Sequence, residues 1–439
     1  MRDDSAPGEE THSDAIVLGA GISGLVSASI LSRTGARRIL VIDEYDHIGG
    51  NHIERSVGPY TFDIGSLIFQ DDAPLLRHFP ELLPYYVPIS LGFARLTPQG
   101  RISKYPISVR DDLIGAGPLE WARIGGSVFV SRLFRRAQRN ANEYAQYWIG
   151  RRFLHRSGLY GYMERLFGRR PEEIDVDFAK ARMFWIRQRA ELRDYVRRWL
   201  KPQPWEAIKN QQLARPVEGF DWLYRKAAAG LEARGVAFKL GARLQGLSKA
   251  GQVFRLETAD GAYSAPRVIS TIPLNHAQRL CGFEAREALP TVTLISLFFS
   301  FSGDRGFAEP VLYNFSNTGA WKRLTVYSDF YGVRDGRMFF TAEVNADHVD
   351  GSVAQAEADF RGHVAANGLF KGDLRLEGRH VLDQAYPIYA PGASDRAKAD
   401  IGMLREFGVE SLGRQGRFDY QPTARVSTVD AEAKLGFHW

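Results

Sequence analysis

Cysteine is almost missing from this chain. Cys281 is the only one in 439 residues, so no internal disulfide forms and a reducing cytoplasm is the natural compartment. Its apolar neighbourhood predicts a buried thiol rather than a nucleophile. Long apolar runs are missing too. The longest, Val292 to Phe301 (VTLISLFFSF), is far short of a bilayer span and predicts a buried strand. The first fourteen residues (MRDDSAPGEETHSD) carry no apolar targeting core and read as a frayed tail. No H-E-x-x-H, C-x-x-C or nucleophile elbow occurs, which argues against zinc and hydrolase chemistry and leaves no metal ligands to nominate. Repeats and low-complexity tracts are absent as well. With 44% hydrophobic and 25% charged residues, the composition excludes a disordered chain and predicts a globular protein of two or three domains.

Net charge is modest, +6, but unevenly placed. From Trp121 to Leu200 there are 18 Lys/Arg against 8 Asp/Glu, a net of +10, so the rest of the chain sums to −4. One basic segment in a slightly acidic protein argues against a nucleic-acid coat. It leaves open a phosphorylated substrate, an anionic membrane surface or a merely solvated face. Aromatics among its arginines (Trp148, Phe153, Phe184, Trp185, Trp199) fit either helix packing or surface insertion.

The most informative stretch lies near the start. Ala15 to Leu18 (AIVL) reads as a buried parallel strand and runs into Gly19-Ala20-Gly21-Ile22-Ser23-Gly24, a G-x-G-x-x-G. Small and apolar residues from Leu25 to Ser32 predict a helix, and Gly35 a stop. Arg38 to Ile42 predicts a second strand, ending at Asp43-Glu44. In that order these pieces make a dinucleotide-binding βαβ unit. Gly19 permits the tight turn, Gly21 lets the backbone approach a pyrophosphate, and Gly24 lets the helix lie close to the strand. Free N–H groups at the helix start favour phosphate, and Asp43, with Glu44 as alternative, is placed to accept hydrogen bonds from ribose hydroxyls. A second glycine pair follows in His47-Ile48-Gly49-Gly50-Asn51, bringing another backbone segment towards the same diphosphate. His47 and His52 bracket it, with local hydrogen bonding as their expected role.

Together with Asp63-Ile64-Gly65, this region resembles the FAD-binding part of the UDP-galactopyranose mutase and protoporphyrinogen oxidase-like flavoproteins, a broad group that includes amine oxidases and carotenoid desaturases. Later segments are similar to that group in the same order: Lys104-Tyr105-Pro106-Ile107, Gly115 to Glu120, Tyr162 to Gly168 with Pro171-Glu172-Glu173-Ile174 and Arg182, Arg215 to Phe220, Val268 to Pro273, Tyr386-Pro387-Ile388-Tyr389, and Gly413-Arg414-Gln415-Gly416-Arg417-Phe418. The resemblance implies an α/β fold: a Rossmann-like FAD-binding domain, a mixed-sheet substrate domain and an inserted, mainly helical domain. After the disordered tail that composition predicts at 1–14, it implies FAD-domain segments at 15–100, 215–282 and 381–439 on this sequence. The basic helical domain falls at 101–214 and the substrate domain at 283–380.

FAD is the implied cofactor. Its implied contacts are Gly19, Gly21, Ser23, Gly24, Asp43, Glu44, Gly49, Gly50, Asn51, Gly65 and Arg414. The catalytic candidates are Arg182, Arg323 and Tyr386, and the substrate-side candidates Phe167, Tyr162 and Tyr313. In the mutase branch the resemblance implies pyranose–furanose isomerisation of a nucleotide sugar on reduced flavin. In the oxidase or desaturase branch oxidised flavin removes a hydride. Arginines suit the first, since a planar guanidinium pairs with phosphate. Three positions depart from the mutase pattern: Leu67 stands where a histidine is common, Phe167 replaces a tryptophan, and Tyr420-Gln421-Pro422 replaces a stretch ending in Met-Asp. The nucleotide-sugar isomerase, the FAD oxidoreductase and a non-catalytic flavin-binding scaffold are therefore all carried forward. The expected partner is a small-molecule substrate. Peripheral membrane contact and self-association stay open.

Overall fold

The computed structural model describes residues 11–65, 68–107, 112, 116–134, 138–183, 210–284 and 287–439, except the side chains of 181 and 182. Its organising element is a five-stranded parallel sheet. The strand order is Val236–Lys239, Ile39–Ile42, Ala15–Leu18, Val268–Ser270, Val409–Ser411. Numbered along the chain this is 3-2-1-4-5, the dinucleotide-binding order. Its reversal lies between the first and fourth strands, where ligands settle beyond the carboxyl ends.

Alternation explains why the strands are continuously apolar. Ala15 and Val17 face a core containing Leu25 and Val26 of the helix Ile22–Arg33 and Phe220, Leu223 and Tyr224 of the helix Phe220–Glu232. Ile16 and Leu18 face the opposite core, with Leu40, Ile42, Leu274 and Leu404. Each such side chain contributes about 1.5–3 kcal/mol by leaving water.

Beside this unit stands a seven-stranded mixed sheet, ordered Phe370–Pro387, Thr291–Arg305, Met338–Asn345, Trp321–Val326, Val311–Asn314, Phe93–Leu96, Ile102–Lys104. The apolar run at 292–301 forms its second strand. Leu294 and Phe298 enter one core while Ile295, Leu297, Phe299 and Phe301 enter another, so both faces are covered. The helices Pro118–Phe134, Ala141–Arg156, Leu159–Phe167 and Val176–Arg182 fall in the segment expected to be helical.

Strand pairing corrects three expected boundaries. The division at residue 100 cuts the hairpin of Phe93–Leu96 with Ile102–Lys104, both members of the seven-stranded sheet. The division at 381 cuts the strand Phe370–Pro387, whose Tyr386 still pairs with Val292. The tail is shorter than 14 residues. Thr11 and His12 pair with Tyr263 and Ser264, and the Asp14 carboxylate accepts hydrogen bonds from the Arg37 and Arg38 N–H groups at 2.8 and 2.9 Å. Leu67, Phe184, Trp185 and Trp199 lie outside the described residues.

Candidate flavin and substrate site

At the carboxyl end of Ala15–Leu18 two glycine loops meet back to back. Gly21 and Gly49 bridge as neighbouring backbone segments, and the Gly49 N–H donates to the Ala20 carbonyl at 3.0 Å. Side chains are excluded at most of these points. A Cβ on Gly24 would lie 1.9 Å from the Gly19 carbonyl oxygen, and one on Gly50 would lie 3.0 Å from the Gly21 Cα. Gly49, at φ +116°, would press a Cβ to 2.7 Å from the Tyr224 ring. The helix beginning at Ile22 has no side-chain cap at Gly21, so its first N–H groups face outward into the cradle.

Asp43 clamps the turn. Its Oδ2 accepts from the Ala20 N–H at 2.6 Å and its Oδ1 from the Tyr45 N–H at 2.9 Å. Burial pushes its carboxyl above the usual range, and these two backbone bonds oppose that shift. Glu44, the alternative acid, is exposed at the rim, 3.3 Å from the His276 Nδ1. Behind the double glycine, where Asn51 is half-buried, His47 Nε2 lies 3.0 Å from the Gly50 carbonyl. His52 Nδ1 meets the Tyr224 hydroxyl at 2.6 Å, and burial drives the His52 pKa down to about 3, so it is neutral. Both histidines thus make local hydrogen bonds.

The closing loop arrives from the far end of the chain. Gly413 packs on Ser23, where a Cβ would lie 2.4 Å from the serine Oγ, and this sets Arg414 beside the cradle. Arg414 has no hydrogen-bond acceptor among the described residues. Burial lowers its pKa, and the phenols of Tyr420 and Tyr386 oppose that shift. Gly65 accepts at its carbonyl from the Tyr327 hydroxyl at 3.4 Å. The preceding Asp63 is buried in an ion pair with Arg215 that sequence reasoning did not single out. An open helix start, glycines clearing a backbone surface, an acid at the strand end and a guanidinium without a partner are the donor set that FAD requires, and they fit it.

Beyond the cradle, the candidates Arg323 and Tyr386 come together around residues that the sequence did not nominate. A register shift between Trp321 and Arg323 lets both Lys322 and Arg323 reach Glu343 on the neighbouring strand. Although burial opposes it, Glu343 holds Arg323 firmly charged. Burial lowers the Lys322 pKa against the pull of the same carboxylate. Lys322 Nζ donates to the Tyr386 hydroxyl at 3.0 Å, which donates to the Leu166 carbonyl at 2.6 Å. Tyr420 lies at the centre, its ring 5.9 Å from that of Tyr386 and within electrostatic reach of Lys322, Arg323 and Arg414.

Tyr313 stacks on Tyr105 at 4.0 Å, with Tyr162 edge-on at 5.7 Å and the Arg323 guanidinium 6.0 Å from the Tyr313 ring. Phe167 is different. It is only 2% exposed and its ring is taken by Phe178 at 5.0 Å, so in this structure it is core rather than a stacking surface. Arg182 ends the helix Val176–Arg182, and its side chain lies outside the described residues. Cys281 is partly buried and its thiol is pushed up to about 12. Among the described residues no three His, Cys, Asp or Glu side chains group as metal ligands.

Known proteins agree with this architecture. Residues 17–81 match the NAD(P)-binding Rossmann-like domain family and residues 134–350 the flavin-containing amine oxidoreductase family. No curated protein sequence matches the chain. Among solved structures, reduced UDP-galactopyranose mutase superposes with a TM-score of 0.75 at 16% identity, covering 97% of this chain and 96% of the other. A protoporphyrinogen oxidase-like protein from Exiguobacterium sp. 255-15 gives 0.73 at 15%, covering 98% of each. A putrescine oxidase variant gives 0.59 at 12%, covering 98% and 99%. The resemblance read from the sequence therefore holds, and the chain is an FAD-dependent enzyme with the fold these flavoproteins share.

Proposed function

We propose that this enzyme acts on a nucleotide sugar, by isomerisation of the pyranose–furanose mutase type. One observation carries the reading. Lys322, Arg323 and Arg414 converge on Tyr420 with Glu343 as the one carboxylate among the described residues paired to them, a surplus of positive charge in a desolvated place. Buried charge without a counter-charge is costly, so such a wall is built for an anionic ligand, and a sugar linked to a diphosphate supplies one. An amine or a polyene would meet the wrong sign or none.

In this reading Gly19, Gly21, Ser23, Gly24, Gly49, Gly50 and Asn51 would hold the FAD diphosphate, Asp43 the ribose, and Gly65 and Arg414 the flavin end. When bound and reduced, the flavin supplies the nucleophile that an anomeric carbon needs. The chain's own residues do the rest. Lys322 and Arg323 hold the diphosphate as it leaves and returns. Tyr386, its phenol kept protonated by burial and donating to the Leu166 carbonyl, accepts from Lys322 and so fixes that ammonium in place. Tyr162 and Tyr313 offer an aromatic wall to the sugar or base. The lone Cys281 fits a cytoplasmic setting.

A second reading, hydride removal from an amine, is favoured by the match of residues 134–350 to the amine oxidoreductase family. One experiment separates the two. The purified holoenzyme is incubated with UDP- and dTDP-sugars, with and without dithionite, and the products and oxygen uptake are followed. Ring-size isomers formed only with reduced flavin, without net use of reductant, support the mutase. No isomerisation of any nucleotide sugar, with oxygen uptake on amines instead, overturns it.

A further inference from the structure

The helix Pro118–Phe134 is turned inside out. Its inner side, against the helix Ala141–Arg156, is built from small and polar groups. Ser131 is buried, the Ser127 Oγ accepts from the Arg152 N–H at 3.1 Å, and Glu120 pairs with Arg152. Ile124 is the one large aliphatic side chain buried on it. Its outer side carries the bulk: Phe134 is 76% exposed, Phe129 69%, Leu119 65%, with Val130 and Leu133 about half exposed. At roughly 100° per residue, Leu119, Phe129, Val130 and Leu133 share one stripe, with Arg123 and Arg132 on its two flanks. A helix of a soluble core has the opposite arrangement.

We infer that this face is a docking surface for an anionic membrane, on which the helix lies flat with its aromatic and aliphatic stripe among the acyl chains. Charge selects this occupant. From Pro118 to Arg156 the sequence holds eight arginines against two glutamates. Arg123 and Arg139 keep their side chains 55% and 82% exposed although each has a glutamate partner. Anionic headgroups neutralise such a surface and gain from each nearby cation. A second copy of the chain would instead bring two strongly basic segments face to face. Because no helix among the described residues is long and apolar enough to cross a membrane, the contact is peripheral.

The test is co-flotation of the FAD-loaded full chain with vesicles of phosphatidylcholine alone, and with vesicles one third phosphatidylglycerol, at low and high salt. The comparison is the double variant Phe129→Ser, Leu133→Ser. Both residues are exposed, so melting temperature and FAD content should match the wild type. Binding is expected to the anionic vesicles only, to weaken with salt, and to fall at least tenfold in the variant. Failure to float with anionic vesicles at low salt overturns the inference, as does equal binding by the variant. So does a lipid-free dimer in sedimentation velocity that the variant abolishes, which would give the face to a second copy. None of these outcomes bears on the reaction at the flavin.

Discussion

Two glycines of the same loop should respond to alanine in opposite ways. At Gly24 the new Cβ would sit 1.9 Å from the Gly19 carbonyl oxygen, where a carbon–oxygen contact needs about 3.3 Å. The partner is backbone and cannot swing aside, so the turn itself must shift by more than about 1 Å. That is overpacking, costing about 1–3 kcal/mol, with about 1 kcal/mol returned by alanine's better helix propensity. At Gly21 the backbone is extended (φ −73°, ψ −177°), a region any residue adopts, and the nearest atom to a new Cβ is the Gly50 Cα at 3.5 Å, an ordinary contact. The protein alone gives Gly21 no reason to be glycine, and loss of a glycine N-cap costs only about 0.5 kcal/mol. The reason is the diphosphate, which needs that surface bare. Gly21→Ala should therefore leave the apoprotein's urea unfolding free energy within about 1 kcal/mol of wild type. It should weaken FAD binding at least tenfold, about 1.4 kcal/mol. Reconstitution of apoprotein followed by flavin fluorescence quenching measures the second quantity. Gly24→Ala should lose stability before any FAD is added. An apo Gly21→Ala variant as damaged as Gly24→Ala, or one that binds FAD like wild type, would refute the assignment of this loop.

Other outcomes follow from the same geometry. Glu343→Gln leaves Lys322 and Arg323 without their shared carboxylate and should cost about 3–5 kcal/mol in urea unfolding, part of which Lys322→Met in the same chain restores; an unaffected single variant would mean the pair is not coupled. Arg414→Ala should lower FAD retention on gel filtration without lowering apoprotein stability, because no acceptor among the described residues is left unpaired by it; undiminished retention counts against its place at the flavin. His52 is depressed to about 3, so between that value and 6.5 the unfolded chain binds a proton that the folded chain refuses. Stability should thus be complete above about pH 6.5 and fall as pH drops through this window, by up to about 1.4 kcal/mol per pH unit from His52 alone. His52→Gln should flatten the slope of stability against pH, and an unchanged slope would show that this histidine does not titrate as buried.

What could be read from the sequence was local. Strand, glycine turn, helix and acidic strand end are contiguous in residues 15–44, and the chemistry of each residue is dictated by its immediate neighbours. The buried strand at 292–301 was legible because seven of its ten residues are large and apolar, interrupted only by Thr293, Ser296 and Ser300. Boundaries at 100 and 381 failed because strand membership is decided by partners far away. Phe93–Leu96 pairs in parallel with Val311–Asn314, about two hundred residues on, and nothing near residue 100 records it. Phe167 failed for a related reason. A motif position says where a side chain starts, while the Phe178 ring that covers it comes from another helix.

The cationic wall shows where motif reading stops and packing begins. In a regular strand Lys322 and Arg323 would point to opposite faces, and only one could belong to a site. The irregular register beside Trp321 is what allows both to reach one carboxylate, and a single added residue in a ladder leaves no mark in composition or periodicity. Glu343 did leave one, had it been weighed. It is the only charged residue in Met338–Asn345 (MFFTAEVN), and a carboxylate in an otherwise buried strand implies a cation facing it. Searching apolar strands for one stranded charge, and then asking which basic residue another strand brings to it, would have found Lys322 as well as Arg323. The uneven charge of the chain divides in the same way. Within 118–156, Arg123 and Arg132 flank the exposed stripe of Pro118–Phe134, while Lys322, Arg323 and Arg414 stand on the seven-stranded sheet and the closing loop, where the count of charges along the sequence gave no sign of them.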